Sequence, residues 1–251
     1  MPVSKKTITF FGASTGVGLA ALRHCIEQGH TCIVLLRKAS KLDAHYPPDR
    51  RPSNLIIREG NAHDSAAVTS CLTAPGNRNQ LVDAVFTSIG AVPTSGGLSI
   101  SDPDVCKKGI SCLLDGLKTL RSQGIASGDP LIVAISTISH SRYGRDTALV
   151  MVPIYKVFVG VAAADKQVME DRLVASGEKN WVVVRPSHLT DGAKPDRAVR
   201  VGIEDIQKGV ESREIGYTIS REDVGRWCYQ NLLGPAEVRK QYMNKALSIT
   251  W

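Results

Sequence analysis

Gly12, Gly16 and Gly18 fall in the spacing G-x-x-x-G-x-G inside the stretch TITFFGASTGVGLAALRHCIEQGHTCIVLLRKASKL, residues 7 to 42. A glycine at the first of these positions permits a tight turn, one at the second lets backbone approach a pyrophosphate, and one at the third lets a helix pack closely on a strand. The chemistry of such a turn is anion binding, because the N–H groups that open a helix have no partners within it and sit at the positive end of its dipole. The elements that must position the turn are also legible. A β-branched run, Thr7 to Phe11, precedes it, an amphipathic segment follows and stops at Gly29, and a second apolar run, Thr31 to Leu36, ends on Arg37 and Lys38. Strand, glycine turn, helix and strand within one unit of roughly 30 residues is the setting in which these glycines point to a bound dinucleotide.

The end of the second strand selects between dinucleotides. An NAD site places Asp or Glu about 20 residues beyond the glycines, where a carboxylate takes the ribose hydroxyls. Here Arg37 and Lys38 stand at that place, and no acid follows until Asp43. A carboxylate repels a 2′-phosphate, whereas a guanidinium grips one through paired, charge-assisted hydrogen bonds. The expected cofactor is NADP(H).

In a doubly wound sheet the ligand lies over the carboxyl ends of the strands. Those ends supply Asn61, Ser88 to Gly90, Ser136 to His140, and Arg185 to His188. A hydroxyl such as that of Ser136 is suited to hydrogen-bond a carbonyl oxygen as hydride arrives and negative charge develops there. For proton transfer the candidates are Ser136, Ser139, His140, Tyr143, Tyr155 and His188. His140 ranks first, because an unperturbed imidazole titrates near neutrality, and Tyr143 second.

The remaining chain alternates strand and helix patterns. Strands are expected at 54–58, 84–89, 131–135, 181–185 and 246–251, and helices at 65–72, over the residues leading to Gln123-Gly124, at 161–175 and at 221–233. Ser220-Arg221-Glu222-Asp223 has the form of a capping box for the last helix. Alternation of this kind implies an α/β, doubly wound parallel sheet of Rossmann type. The C-terminal third is less regular and is expected to contribute much of the substrate side. No linker divides the 251 residues, so one domain is expected.

Composition bounds the function. The net charge of +7 is spread over isolated basic pairs without interleaved aromatics, which suits an anionic cofactor better than nucleic acid. The longest apolar stretch, 148–164, is broken by Pro153 and Lys156 and falls short of the about 20 residues a membrane span needs. It reads instead as a buried element or a greasy wall for a hydrophobic small molecule. The six cysteines are scattered without C-x-x-C, as expected of reduced core thiols in a cytoplasmic protein and not of a disulfide framework or a metal site. The N-terminus runs directly into the first strand, so no leader peptide is expected.

Taken together, GASTGVG, Arg37, Gly60-Asn61, Ser136-Thr137 and Arg185-Pro186-Ser187-His188-Leu189 resemble the atypical short-chain dehydrogenases/reductases. The similarity is greatest to the NAD(P)H-binding, NmrA-like group that includes biliverdin reductase B, and it runs from about residue 7 to 233. GYTISREDVGRW and ALSITW are also similar to oxidoreductases of fungal secondary-metabolite clusters. The resemblance implies Gly12, Ser14, Thr15, Gly16, Val17 and Gly18 on the pyrophosphate, with Arg37 on the 2′-phosphate. It further implies Asn61 near adenine and Ser88, Ile89 and Gly90 along the ribose. Ser136 and Thr137 would lie near the nicotinamide, with Pro186, Ser187, His188 and Leu189 against its carboxamide. The orthodox members use Tyr-x-x-x-Lys to exchange a proton, yet no tyrosine here has a lysine four residues on, and Tyr155-Lys156 lie about 100° apart on a helix.

Three functions follow from these observations. The first is an NADPH-dependent reductase of a conjugated, quinone-like or flavin-like molecule, with the cofactor supplying the chemistry and the protein the orientation. The second is an isomerase, cyclase or dehydratase of a polycyclic natural product without net redox change. The third is an NADP(H)-sensing binding protein. The expected assembly is a monomer or homodimer.

Overall fold

The computed structural model describes residues 4–91, 101–125, 127–149, 160–234 and 239–251. Tyr155 and its neighbour Lys156 lie outside the described residues.

Seven strands form the parallel body of a nine-stranded sheet. They are β1 (Thr7–Phe11), β2 (Thr31–Leu36), β3 (Leu55–Glu59), β6 (Ala84–Thr87), β7 (Leu131–Ile135), β8 (Trp181–Pro186) and β13 (Lys245–Thr250). The order across the sheet is β11-β10-β13-β8-β7-β6-β1-β2-β3, where β10 (Arg200–Asp205) and β11 (Gly209–Ser212) add an antiparallel edge. The chain therefore steps outward from β1 through β2 to β3, then returns to β6 on the other flank of β1. That reversal opens a crevice between the carboxyl ends of β1 and β6, the place where such sheets bind ligands.

Helices cover both faces because the strands are apolar on both. Ile8, Phe10, Val34 and Val184 pack against α1 (Gly16–Glu27) and α5 (Arg221–Cys228) through residues such as Leu22, Val224 and Trp227. Phe11, Ile33, Leu35 and Val85 face α2 (Ser65–Ser70), α3 (Val105–Ser122) and α4 (Gly160–Ala175) through Val68, Leu113, Leu117 and Leu173. The two-residue period of the strands thus divides one run, Ile8 to Phe11, between two cores.

Two hairpin-like features arise where no regular element is expected from the sequence. Polar residues form β4 (Thr73–Ala74) and β5 (Asn77–Leu81) around a Pro75-Gly76 turn. The less regular C-terminal third in fact extends the main sheet through β10 and β11, while β9 (His188–Thr190) and β12 (Thr218–Ser220) make a separate parallel pair. β10 hides its pattern because Val201 and Ile203 point to one face while Gly202 and Glu204 are buried on the other. A buried glutamate looks like a solvent-facing one in sequence. The last helix is α-helical only to Cys228 and continues as a wider π-type turn over Tyr229–Leu233. Ser220 caps it by accepting from the N–H of Asp223 at 3.0 Å, and the Asp223 carboxylate accepts from the Ser220 hydroxyl and from the N–H of Lys194, not from the N–H of Ser220.

A buried charge triad joins three of these elements. Arg185 of β8 donates to Glu170 of α4 at 2.6 Å and to Glu204 of β10 at 3.0 Å, and all three side chains are less than a tenth exposed. Burial works to lower the Arg185 pKa, but the two carboxylates outweigh it and hold the guanidinium charged. Removing one member leaves an uncompensated buried charge, at a cost of roughly 3–5 kcal/mol. Arg185→Met should therefore lower unfolding free energy in urea by about that much. Removing the exposed partner Arg142 from Asp171 should cost under about 1 kcal/mol; equal losses in the two variants would refute the assignment.

Candidate functional site

The glycine turn and the end of β6 meet at the crevice. Gly12 has φ +83°, and a Cβ there would stand 2.8 Å from the backbone of Ser88 and Ile89. A Cβ on Gly18 would collide with the Ser88 hydroxyl and lie 2.6 Å from the Gly12 carbonyl. Ser88 fastens the contact by donating to that same carbonyl at 3.0 Å. Helix α1 consequently begins directly over the ends of β1 and β6. Thr15 caps it without a side-chain hydrogen bond, and its first turn has no acid, so its opening N–H groups meet neither a cap nor a competing charge.

Beside this turn lies a cleft of about 640 Å³. Its floor is Gly12, Ser14 and Thr15 from the turn, and Ser88, Ile89 and Gly90 after β6. The ends of β2 and β3 add Arg37 and Asn61. These eight expected residues come together in one site. Leu35, Leu36, Lys41, His63, Asp102 and Val105 join them. Lys41 supplies the second cation beside Arg37, while Lys38 is exposed and outside the lining. Neither Arg37 nor Lys41 forms an ion pair among the described residues. Asp102, held below the usual carboxylate range by the Asp104 N–H and by Lys108, is the acid of the cleft. A turn with no room for a Cβ, a helix start with uncapped N–H groups and two cations at one end fit an extended polyanion.

The other expected residues lie around this cleft without lining it. Val17 and Gly18 are buried in the first turn of α1, and Gly16 faces a second cavity beside Arg23 and Arg221. Ser136 is buried after β7, and its hydroxyl has no hydrogen-bond partner, while Thr137 beside it is half-buried. Pro186 and Ser187 are buried, with the Ser187 hydroxyl turned to Thr250 at 3.0 Å. His188 is exposed, and Leu189 pairs with Ile219 between β9 and β12.

His140 is held by a loop whose geometry the sequence does not announce. Ser139 adopts φ +79°, and Asp146 stabilises that turn by accepting from the N–H groups of Ser139, His140 and Ser141 at 2.8 to 3.2 Å. The imidazole is buried, with Nδ1 3.3 Å from Gln167 Oε1 and Nε2 without a partner. Burial lowers its pKa, against the pull of Glu170. It is thus neutral near pH 7, a proton acceptor and not a donor. Tyr143 is turned to the sheet edge, where its hydroxyl donates to the Ile206 carbonyl at 3.2 Å.

Lysine 166 is the functional residue that sequence reasoning missed. From α4, Lys166 donates to the Ile135 carbonyl at 2.6 Å and to the Ile89 carbonyl at 3.4 Å, which sets its ammonium between the ends of β6 and β7. Its neighbour Asp165, which is buried, accepts from the N–H groups of Cys106 and Lys107 at 2.7 and 2.9 Å and so caps α3. The position four residues before Lys166, where the orthodox pattern has its tyrosine, is Ala162. The cysteines take no part in the cleft. All six are free, and burial raises the thiol pKa of Cys106, for example, to about 11.

The fold and cleft define a dinucleotide-binding α/β protein. Residues 12–235 match the NAD(P)H-binding family, and the chain belongs to that family as an NAD(P)H-binding oxidoreductase of the atypical short-chain dehydrogenase/reductase type. It is 32% identical to the reductase pytE of Aspergillus terreus over the whole of both chains. It is 27% identical to the oxidase pynE of Aspergillus niger, over 92% of this chain and 94% of that one. Among solved structures, a short-chain dehydrogenase/reductase from Veillonella parvula superposes with a TM-score of 0.70 at 12% identity, covering 98% of this chain and 94% of its own. No helix among the described residues is long and apolar enough to cross a membrane.

Two outcomes test this geometry. Gly18→Ala should destabilise the fold by about 1–3 kcal/mol, the usual cost of overpacking, and Ser88→Ala should not rescue it, because the Gly12 carbonyl remains in the way; full rescue would refute the close approach. The buried, neutral His140 gives a pH signature. Its folded pKa lies below the ordinary 6.5, so the unfolded chain takes up the proton first and stability is lost as pH falls below that value. His30, also lowered by burial, adds to the same window. His140→Gln should flatten the fall in melting temperature between about pH 7 and 5; an unchanged slope would contradict the buried neutral ring.

Proposed function

We propose that the protein is an NADPH-dependent reductase of a conjugated, quinone-like or flavin-like small molecule in fungal secondary metabolism. The observation that carries this reading is the pair Arg37 and Lys41 at one end of the cleft, with no acidic residue in the chain between Leu36 and Asp43; the nearby Glu59 carboxylate, at the end of β3, is engaged by the Ala39 N–H at 2.6 Å. Support comes from the relatives as well, since pytE is a reductase and the Veillonella protein was solved with NADP.

NADPH, when bound, supplies a hydride. Arg37 and Lys41 hold the 2′-phosphate, and the uncapped start of α1 holds the pyrophosphate. Asn61 would face the adenine, and Ser88, Ile89 and Gly90 would border the ribose. The Ser136 hydroxyl, which has no hydrogen-bond partner within the protein, is the group of the strand ends that would donate to the acceptor oxygen on which negative charge develops, once the acceptor reaches past the residues that cover it. Lys166 places a positive charge one residue away, at the Ile135 carbonyl. The neutral His140 does not supply the proton at pH 7, which leaves solvent or a weak acid to do so. An acceptor whose reduced form is a stabilised anion tolerates that arrangement, because protonation need not accompany hydride arrival.

Arg37→Ala should weaken NADPH binding at least about tenfold, since charge-assisted hydrogen bonds are worth roughly 1.5–3 kcal/mol, while leaving NADH binding within twofold. Isothermal titration of both cofactors reads this difference, and an equal loss for the two would overturn the assignment of Arg37. Purified protein should also remove 340 nm absorbance when given quinones or flavins. Complete inertness across a broad panel of acceptors, or product formation without NADPH consumption, would overturn the reductase reading.

A further inference from the structure

A further cavity, of about 350 Å³ and separate from the one beside Gly16, lies at the carboxyl ends of β13 and β8 and is lined by Arg197, Ala198, Tyr217, Thr218 and Trp251. Its position follows from strand register. Ile249 of β13 pairs with Pro186 of β8, so Trp251 stands level with the chain just beyond β8. The main-chain N–H of Trp251 donates to the Thr218 carbonyl at 3.3 Å, and Thr218 pairs in turn with His188. That bond ties the backbone of the last residue to the β9 and β12 pair, at the same end of the sheet as the cofactor cleft.

Three features of this cavity are unexplained by folding alone. Lys194 Nζ lies 4.9 Å and Arg197 Cζ 5.1 Å from the centroid of the Trp251 ring, so two cations stack on one indole. Neither of them forms an ion pair among the described residues. The Trp251 Nε1 is buried with no acceptor, and a buried donor without a partner is costly enough to be rare. Tyr217, beside them, leaves 59% of its surface in solvent. Two unpaired cations, an orphan N–H and two aromatic surfaces suit a flat molecule that carries delocalised negative charge. Its π-face would cover the exposed phenol of Tyr217 beside the indole, and its oxygens would accept from Arg197.

We infer that Trp251, Tyr217 and Arg197 form a recognition site for a planar, conjugated anion, an aromatic carboxylate or an extended enolate. As a binding site it stands on these residues alone; its role as the seat of the hydride acceptor rests on the reductase reading above. Pairing with Arg197 would offset the charge of the anion and so lessen its repulsion of an incoming hydride.

The test uses the full-length protein and 2-naphthoate, with 2-naphthamide as the uncharged isostere and hexanoate as the non-planar anion. Binding is followed by isothermal titration, with and without NADPH. 2-Naphthoate should bind at least about tenfold more tightly than either control, the factor that a charged hydrogen bond supplies. Arg197→Gln should remove most of that preference, and Tyr217→Ala should weaken 2-naphthoate at least threefold. Both positions are exposed, so the variants should melt as the parent does, and NADPH affinity should stay within twofold. Equal binding of 2-naphthoate and 2-naphthamide, or an Arg197→Gln variant that keeps the preference, would overturn the proposal. Binding of 2-naphthoate by a protein that fails to take up NADPH would uphold the site and refute the cofactor reading instead.

Discussion

The burial of the charged face of α4 is the constraint on which the carboxyl end of the sheet depends. Glu170 holds Arg185 near the carboxyl end of β8, and Arg185 reaches across to Glu204 on the antiparallel edge, so helix, inner strand and edge strand share one set of hydrogen bonds. One turn earlier on the same helix, Lys166 and Asp165 reach the ends of β6 and β7 and the start of α3. Gln167 meets the ring of His140. A helix that would be an ordinary solvated one if its polar groups faced water instead sets the relative positions of the strand ends. Net stability need not be the gain, since buried ion pairs often do no better than apolar replacements of the same volume. Their geometry is directional, however, and direction is what a site built from several strand ends requires.

The same feature explains what the sequence conceals. The glycine turn, β1, α1 and β2 are legible because their determinants are local. Turn residues at fixed offsets, a helical period, a stop at Gly29 and a cationic strand end all lie within one short segment, and eight of the expected residues line one cleft. Asp165, Lys166 and Glu170 belong to the string ADKQVMEDR, which has the composition of a surface helix. Only the tertiary partners reveal that two of these three side chains are buried. Glu204 is hidden in the same way within β10, where it takes an inward position that a pattern of apolar residues would leave unassigned. Lys41 was legible in kind but not in place: the turn after Arg37 brings it, and not Lys38, to the cleft.

The loop after β7 shows a third kind of concealment. A left-handed serine, Ser139, has no glycine to announce it, and the carboxylate that stabilises it follows seven residues later as Asp146. Strained backbone of this kind persists where its surroundings over-determine it, and three N–H groups converging on one carboxylate do that here. The consequence is chemical. With the loop pinned, the His140 ring is carried into the interior, its pKa falls, and a residue that reads as a proton donor becomes a neutral one.

Electrostatics then relate the two ends of α4. Two carboxylates against one guanidinium leave the buried triad with an excess of negative charge, close to the loop that carries Ser136 and His140. An oxyanion developing at Ser136 would be disfavoured by that excess in a medium of low dielectric. Lys166, four residues before Glu170 and so on the same side of the helix, sets its ammonium at the Ile135 carbonyl, between the triad and the strand ends. It offsets the carboxylates on the side where reducing chemistry would place new negative charge. A single helix thus supplies both the anchor that fixes β8 and the cation that makes the anchor compatible with an anionic product.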